Sequence, residues 1–397
     1  MATWLTPITV DNDPLPSTAE VVVVGGGVQG CSIGYHLARA GVNVVLVERY
    51  DVAAGASGAS AGGVRHQGRD LREFPLAFAA IERWRGLEEE LGFDLGYRRG
   101  GHLTLIEDEA DLTGLELDID RQVVAGLDIS LVAGDALRDL VPGIGPTVVA
   151  GAFSPDDGHA DPERTTAAFA FAAQRVGAPI CAGTTVARLI VEGDHVLGVE
   201  TDGGSISTGT VVLAGGAWST ALAAAIGLDL PIEPMGLQAM TTVPAPHVLG
   251  PVMGSTTRVI SLKQLPDGRF LLGGGWPGTF DLDRPRGRTL AENIAANVVE
   301  AVAILPAVAA APVQRAWLGI EALTRDEAPI LGPVDGIDGL ILATGFCGHG
   351  FALSPAVGAA ISTLITTGQL PDEIAALTLA RFADTAEVEP LATTRAG

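Results

Sequence analysis

Three glycines and one acid near the N-terminus have the types and spacing that bind a dinucleotide. Gly25, Gly27 and Gly30 form a G-x-G-x-x-G pattern, and Glu48 follows eighteen residues later. The first glycine permits a tight turn, the second lets backbone N–H groups approach a pyrophosphate, and the third lets a helix pack on a strand. An acid at this distance accepts hydrogen bonds from ribose hydroxyls. A glycine-rich turn without a ligand is the alternative in a chain that contains 52 glycines.

The surrounding elements are those that such a site requires. Residues 21–24 are four valines, typical of a strand buried on both faces of a parallel sheet. A helix is predicted over 28–40 and a second buried strand over 42–47. Because an anion at a helix N-terminus meets unpaired N–H groups and the positive end of the helix dipole, this βαβ unit predicts a phosphate-binding turn.

Later segments alternate between helix and strand patterns. A strand pair is predicted near 96–106, and a helix over 162–176 with Asp161 as its N-cap. Short alternating strands are expected over 184–213, and a strand, loop and helix over 339–367. The fold class indicated is therefore α/β.

Composition and charge exclude several classes of protein. The 397 residues are 47% hydrophobic and 18% charged, which excludes a disordered chain and allows two or three domains. A net charge of −23 would repel a phosphate backbone, so no nucleic acid partner is expected. Three scattered cysteines are too few for a disulfide framework or a metal site, and they indicate a reducing compartment.

No membrane span is expected. Residues 1–5 lack the cationic and apolar regions of an export signal. The uncharged windows 203–228 and 339–371 are long enough to cross a bilayer, but glycine clusters interrupt both. Buried strand, loop and helix explain these windows better, and the expected location is the cytoplasm.

The segment after Glu48 favours FAD over a nicotinamide cofactor. Residues 53–63 are all Ala, Gly or Ser, so the chain can run against a bulky ligand with its backbone amides free. A nicotinamide enzyme usually continues with alternating strands and helices instead. The alternative is a flexible glycine-rich linker.

Five segments in order carry a resemblance to a known family. They are the opening unit with Glu48, residues 62–67 (Gly-Gly-Val-Arg-His-Gln), 158–162 (Gly-His-Ala-Asp-Pro), 211–219, and 317–332 followed by 345–351. The chain resembles the FAD-dependent amine and amino-acid oxidoreductases of the D-amino-acid oxidase superfamily. Within it, the chain is most similar to the branch of sarcosine oxidase, glycine oxidase and the flavin subunits of amine dehydrogenases.

The resemblance implies a discontinuous Rossmann-like FAD-binding domain and a second, sheet-based substrate domain. The FAD-binding domain would comprise residues 1–95, 150–225 and 325–397. The substrate domain would comprise residues 96–149 and 226–324. Backbone amides near the flavin would stabilise the negative charge of its reduced form.

The glycine pattern, the small-residue segment and the resemblance together predict the residues that contact FAD. They are Gly25, Gly27, Val28, Gln29, Gly30, Glu48, Arg49, Ser57, Ser60, Ala61, Gly62, Val186, Ala214, Gly215, Trp218, Gly345, Cys347, Gly348, His349, Gly350 and Phe351. The cysteine that tethers FAD in monomeric sarcosine oxidases has no counterpart here, since no cysteine lies between Cys181 and Cys347. His66 or Cys347 offers a chemically feasible attachment point, but non-covalent FAD is expected.

Two cations that anchor a substrate carboxylate in relatives are missing. Glu321 stands where the glycine-oxidase branch has an arginine, and Ala352 stands where the sarcosine-oxidase branch has a lysine. The resemblance leaves Arg65 as the matched cation, in contact with a carboxylate or the flavin edge; the alternative is a surface arginine paired with an acid. Glu321 near the flavin would favour a cationic or polyol-bearing amine; the alternative is a buried pair with Arg315 or Arg325.

Two further residues complete the catalytic candidates. His66 is either an active-site base or a structural histidine. Lys263, the single lysine of the chain, precedes a predicted hairpin and could face the active site. A solvated strand lysine is the favoured interpretation of Lys263.

The function implied is FAD-dependent oxidation of a carbon–nitrogen bond in a secondary or primary amine or an N-substituted amino acid. Hydride would pass to flavin N5, and water would hydrolyse the imine. The electron acceptor would be O2 or a partner protein, and the chain could be one subunit of a larger complex. The alternatives are a FAD-dependent 2-hydroxy-acid dehydrogenase and a non-catalytic flavoprotein subunit.

Overall fold

The computed structural model describes residues 8–383, and in that range the strands form two large sheets and one short pair. The first sheet has nine strands and the second has eight. The short pair joins Gly63–Val64 to Gly158–His159. The α/β class is confirmed.

The first sheet has a parallel centre formed by apolar strands. Val21–Val24 pairs with Val44–Val47 on one side and with Thr210–Leu213 on the other. All four valines of the first strand are buried, which explains why the pattern is apolar at every position and not at every second one. The strands of this sheet are Val21–Val24, Val44–Val47, Ile180–Cys181, Val186–Glu192, His195–Thr201, Gly204–Ser207, Thr210–Leu213, Ile330–Val334 and Ile337–Thr344.

The second sheet is mainly antiparallel. Its longest pairing joins Ile232–Pro244 to Val313–Thr324, with Met235 opposite Glu321. In sheet order its strands are Val313–Thr324, Ile232–Pro244, Arg269–Gly273, Ser261–Gln264, Val252–Ser255, His102–Ile106, Ala150–Ser154 and Ser130–Ala133.

Helices cover the first sheet and extend over the second. Val28–Arg39 packs against both Pro162–Arg175 and Gly350–Thr367 in one apolar core. In this core the indole of Trp84 donates a hydrogen bond of 2.8 Å to the Ala352 carbonyl. The α-helices described are Val28–Arg39, Ala56–Ala59, Phe74–Trp84, Leu87–Leu91, Leu112–Val124, Gly134–Leu140, Pro162–Arg175, Ser219–Ala224, Ala291–Ile304, Gly350–Thr367 and Asp372–Ala375.

Two expectations about the chain path are wrong. The strand pair predicted near 96–106 is a single strand, His102–Ile106, which finds its partners far along the chain. Ala150–Ser154 was expected in the first domain but pairs with that strand in the second sheet. The segment 150–225 that was expected in the FAD-binding domain therefore joins the first sheet only after Ser154. Residues 1–7 and 384–397, also expected in that domain, lie outside the described residues.

One described helix is long and apolar enough to cross a membrane by length and composition alone. This helix is Gly350–Thr367, and 72% of it is buried inside the protein. A core helix passes the same test, because it too must be apolar on most of its faces.

Helix Val28–Arg39 can approach the first strand closely only because residue 30 is glycine. A Cβ at Gly30 would lie 1.9 Å from the Gly25 carbonyl oxygen, far inside van der Waals contact. The same addition at Gly34, one turn later, would meet Leu46 at an ordinary 3.7 Å.

We expect Gly30→Ala to lower the free energy of unfolding by at least about 1–3 kcal/mol, because overpacking here moves backbone against backbone. Gly34→Ala is the matched control and should be neutral or stabilising by up to about 1 kcal/mol, since alanine favours the helix. Urea denaturation of both variants measures the difference. Equal effects at the two positions would contradict the proposed close packing.

Candidate active site

The main cavity lies at the carboxyl ends of the parallel strands. It has a volume of about 400 Å³, and its walls include the strand ends Val24, Val47 and Ala343. Open parallel sheets bind ligands at this edge, where loops and helix N-termini converge. Glu48 and Arg49 follow strand Val44–Val47, whereas Gly345 and Gly348 follow strand Ile337–Thr344, and two other strands separate these two in the sheet. The two pairs of residues therefore mark opposite ends of the cavity, and Glu321 lies beside Gly348.

The glycine-rich turn presents a helix N-terminus to this cavity. Gly27 is the N-cap of Val28–Arg39, with no side-chain hydrogen bond and no acid in the first turn. The Val28 N–H donates to Ser57 Oγ at 2.9 Å, and a Cβ at Gly27 would lie 2.9 Å from the same oxygen. The turn therefore offers free N–H groups and the positive end of the helix dipole to an anion.

Glu48 lies beside the turn, where an acid was predicted. Its carboxylate accepts hydrogen bonds from the backbone N–H groups of Gly26 and Tyr50. Burial raises the pKa of Glu48, although these two N–H groups oppose the rise. Glu48 is thus held in one position at the cavity wall, suited to accept hydrogen bonds from ribose hydroxyls.

A second helix N-terminus faces the cavity from the C-terminal part of the chain. Helix Gly350–Thr367 begins after a loop in which Gly345 and Gly348 have φ values of +70° and +77°. Both glycines, with Gly350 and Phe351, line the cavity. The side-chain amide of Gln29 donates to the Gly350 carbonyl at 2.6 Å, which ties the two helix N-termini together.

Most of the residues predicted to contact FAD line this one cavity. They are Gly25, Gly27, Val28, Gln29, Glu48, Arg49, Ser57, Ser60, Val186, Ala214, Gly215, Trp218, Gly345, Gly348, Gly350 and Phe351. These residues come from segments up to 326 positions apart in sequence, and the fold brings them to one cavity.

Five of the predicted contact residues lie outside the walls of the main cavity. Gly30 is in the packing contact with Gly25, and a Cβ at Gly62 would lie 2.2 Å from the Ala160 carbonyl oxygen. Ala61 lines a second cavity. Gly30 and Gly62 therefore allow close backbone packing and do not line the main cavity.

The other two of the five, Cys347 and His349, contact residues that do not line the cavity. The Cys347 thiol lies 3.2 Å from the Thr324 hydroxyl, and burial raises its pKa to about 11, so it is a neutral thiol. His349 Nδ1 is 3.6 Å from the buried carboxylate of Glu73.

Of the four catalytic candidates, only Glu321 lines the main cavity. Its expected alternative, a pair with Arg315 or Arg325, is absent from the ion pairs of residues 8–383. Burial raises the pKa of the Glu321 carboxyl group, and the nearby backbone N–H of Gly348 partly opposes the rise.

His66 is held by a buried acid. Asp157 Oδ1 lies 2.7 Å from His66 Nδ1 and also accepts the His66 backbone N–H at 2.7 Å. Burial opposes ionisation of Asp157, but the hydrogen bonds and charge of His66 outweigh it and lower the Asp157 pKa. Next to His66, Gln67 bonds His102 at 2.6 Å and the Ala152 carbonyl at 2.9 Å, which links this loop to the second sheet. These contacts favour the structural interpretation of His66.

Arg65 belongs to the same cluster and is half-buried. Its guanidinium donates to the Gln67 carbonyl. Burial, together with the charge of Arg69, lowers the pKa of Arg65 to about 10.

The solvated interpretation of Lys263 is wrong. Lys263 is 4% exposed and lines a second cavity of about 80 Å³ between the inner face of the second sheet and the start of helix Pro162–Arg175. Its cross-strand neighbour is Leu271, and both side chains line this second cavity. Burial lowers the pKa of Lys263 to about 7, and the charge of Asp161 only partly offsets this.

Sequence reasoning missed several cavity residues. Thr184 and Thr185 line the cavity next to the predicted Val186. Their place just after strand Ile180–Cys181, at the carboxyl edge of the sheet, is a signal that would have identified them. Tyr50 and Trp218 bond the carbonyls of Asp283 and Leu282 at 2.9 and 2.6 Å, and no local pattern predicts this contact between segments.

The sequence model of a family described as "FAD dependent oxidoreductase" matches residues 20–364. The chain belongs to this family. The resemblance seen in the five sequence segments is therefore confirmed, and so is FAD as the cofactor type.

Several relatives in the FAD dependent oxidoreductase family are similar over most of the chain. Glycine oxidase from Geobacillus kaustophilus is 31% identical, over 93% of this chain and 99% of its own length. Mitochondrial dimethylglycine dehydrogenase from Mus musculus is 28% identical, over 92% of this chain and 44% of its own length. Sarcosine oxidase subunit beta from Rhodobacter capsulatus is 25% identical, over 89% of this chain and 86% of its own length.

A solved structure agrees with the fold of the family. The crystal structure of L-proline dehydrogenase from P. horikoshii has a TM-score of 0.85 and 31% identity, over 93% of this chain and 99% of that chain. The chain spans about half the length of some curated relatives, such as the mouse dehydrogenase. The Rossmann-like domain with a second, sheet-based domain is the architecture of this family.

The residues present fit FAD. The N-terminus of Val28–Arg39, whose N-cap is Gly27, suits the pyrophosphate, and Glu48 suits a ribose. Gln29 Oε1 is buried at the cavity wall without a hydrogen-bond partner in the protein, as expected of a group that bonds a ligand.

We expect Lys263→Met to stabilise the FAD-loaded protein by roughly 1–3 kcal/mol near pH 7. The pKa of Lys263 is about 7 when folded and near 10.5 when exposed, so the unfolded chain binds more protons between these pH values. The penalty from the lysine is therefore full below pH 7 and fades as the pH rises towards 10.5.

Thermal unfolding midpoints of Lys263→Met and wild type across this pH range measure the effect. Arg121→Met, on an exposed helix face, is the control, because a guanidinium does not titrate in this range. A Lys263→Met difference that stays constant with pH would show that the amine is not buried as described.

Proposed function

We propose that this chain oxidises the carbon–nitrogen bond of a secondary or primary amine or an N-substituted amino acid with bound FAD. The observation that carries the proposal is the pair of helix N-termini, Val28–Arg39 and Gly350–Thr367, directed at one cavity of the sheet edge. Membership of the FAD dependent oxidoreductase family supports it. So do the names of relatives that act on dimethylglycine, glycine and sarcosine.

FAD, when bound, supplies the hydride acceptor for the carbon next to the substrate nitrogen. The N–H groups at the start of Gly350–Thr367 supply positive potential to the end of the cavity near Glu321. Such fixed dipoles stabilise negative charge that develops during a reaction without having to reorganise.

Substrate handling rests on shape more than on acid–base groups. The carbon–hydrogen bond must be held close to the acceptor, and the substrate nitrogen must be neutral to release hydride. The cavity wall at Phe346 is apolar and disfavours a charged reacting nitrogen. We therefore assign the walls of the cavity the task of binding the neutral amine.

The electron acceptor and the surroundings of the chain are also part of the proposal. The similarity to a relative whose name includes "subunit beta" supports a multi-subunit assembly, and we propose that a partner protein in it receives the electrons. The cytoplasm is the proposed location, in agreement with three free cysteines that form no disulfide among the described residues.

We expect the FAD-loaded protein to lose its visible flavin absorbance when mixed anaerobically with a suitable secondary amine or N-methyl amino acid. A panel of such amines, primary amines and 2-hydroxy acids is titrated, with free FAD as the control. Reduction by 2-hydroxy acids alone would replace the proposal with a hydroxy-acid dehydrogenase. No reduction by any compound would indicate a non-catalytic subunit.

The electron acceptor is tested by mixing the reduced protein with air and measuring the rate at which the flavin is reoxidised. We expect slow reoxidation, because a partner and not O2 is proposed to receive the electrons. Reoxidation as fast as the amine-driven reduction would identify the protein as an oxidase.

A further inference from the structure

Charged side chains are sparse along the main cavity. Among the described residues of its wall they are Glu48, Arg49 and Glu321. Glu48 and Arg49 lie at the carboxyl end of strand Val44–Val47, in the dinucleotide end of the cavity. Glu321 is therefore the charged side chain of the opposite end, where Gly345 and Gly348 also lie.

No cation of the described residues neutralises Glu321. No ion pair within residues 8–383 includes Glu321, and the polar group beside its carboxylate is the backbone N–H of Gly348. Glu321 is half-buried, and a carboxylate shielded from water without a counter-charge is destabilised, so burial raises the Glu321 pKa. A bound cation would remove this cost.

The nearest arginine on the same strand is separated from Glu321 by packing. Arg315, Trp317, Gly319 and Glu321 alternate along Val313–Thr324 and so point to one face of the sheet. Helix Ala56–Ala59 covers that face at Gly319, where a Cβ would lie 2.6 Å from the Ala59 side chain. The Trp317 indole donates a hydrogen bond of 2.8 Å to the Ala59 carbonyl. Helix Ala56–Ala59 and Trp317 together form a barrier between Arg315 and Glu321. Arg315 lines the second cavity, on the far side of this barrier.

We infer that Glu321 selects substrates that carry a second, positively charged amino group away from the nitrogen that is oxidised. This inference rests on the proposed function and names its substrate class, a diamine-type compound with one secondary amine. An ammonium group neutralises the Glu321 carboxylate, whereas a hydroxyl group leaves its charge uncompensated and a second carboxylate repels it. The net charge of −23 also raises the local concentration of cationic substrates.

Three amines of equal length test the inference because they differ only at the far end. N-methyl-1,4-diaminobutane ends in ammonium, N-methylpentylamine in methyl, and 4-(methylamino)butanoate in carboxylate. The measured quantity is the rate of anaerobic flavin reduction as a function of amine concentration, which gives the limiting reduction rate divided by the apparent Kd for each amine. We expect wild type to prefer the diamine over the carboxylate by roughly tenfold to a hundredfold.

Variants at residue 321 separate recognition from chemistry. Glu321→Gln should remove the preference by raising the apparent Kd of the diamine more than that of the neutral amine. Glu321→Asp should retain the preference, and Glu321→Arg should reverse it in favour of the carboxylate. Glu233→Gln, an exposed acid on the adjacent strand opposite Leu323, is the matched control and should leave all three substrates unchanged.

The possible failures are distinct. A wild-type preference for the neutral or carboxylate amine, or an unchanged preference in Glu321→Gln with normal FAD content, would overturn the role of Glu321 while amine oxidation stands. Flavin that is not reduced by any of the three amines, or by the wider amine panel, would overturn the proposed function itself.

Discussion

The contact of three backbone segments at the dinucleotide turn is the constraint on which the site depends. The Gly25 N–H donates to the Val47 carbonyl at 2.8 Å, and the Ala214 N–H donates to the Val24 carbonyl at 2.9 Å. A Cβ at Gly25 would lie 2.5 Å from the Ala214 carbonyl oxygen, and its φ of +119° is itself a glycine conformation. The turn is thus fixed by both neighbouring strands, and helix Val28–Arg39 begins where its free N–H groups face the cavity.

The other end of the cavity depends on the second sheet. Strand Val313–Thr324 lies at the edge of that sheet and passes under helix Ala56–Ala59, where Trp317 bonds the Ala59 carbonyl. The Cys347 N–H donates to the Ala322 carbonyl at 3.1 Å, which joins the same strand to the loop before the last long helix. The first sheet alone therefore forms the phosphate-binding edge of the cavity. Both sheets together form the end of the cavity at which the substrate is proposed to bind.

Local patterns predicted the parts of the site whose structure is local. The glycine spacing, the four valines and the Asp161 cap each act within a few residues, and the Asp161 side chain does accept the Arg164 N–H. Burial of Lys263 and the pairing of His66 with Asp157 depend on contacts between distant segments, which no local pattern records. The same holds for Ala150–Ser154, whose sheet is decided by His102–Ile106. Glu321 is separated from Arg315 because helix Ala56–Ala59 packs on Gly319. This separation could be seen only in the three-dimensional structure.

The central claim is that this cavity binds one FAD per chain through backbone amides and without a covalent bond. The direct measurement is the flavin content of the purified protein, taken from its visible spectrum before and after heat denaturation. The account predicts a yellow protein with about one FAD per chain, all of it released to the supernatant on denaturation. A colourless protein that takes up no FAD on incubation would contradict the account.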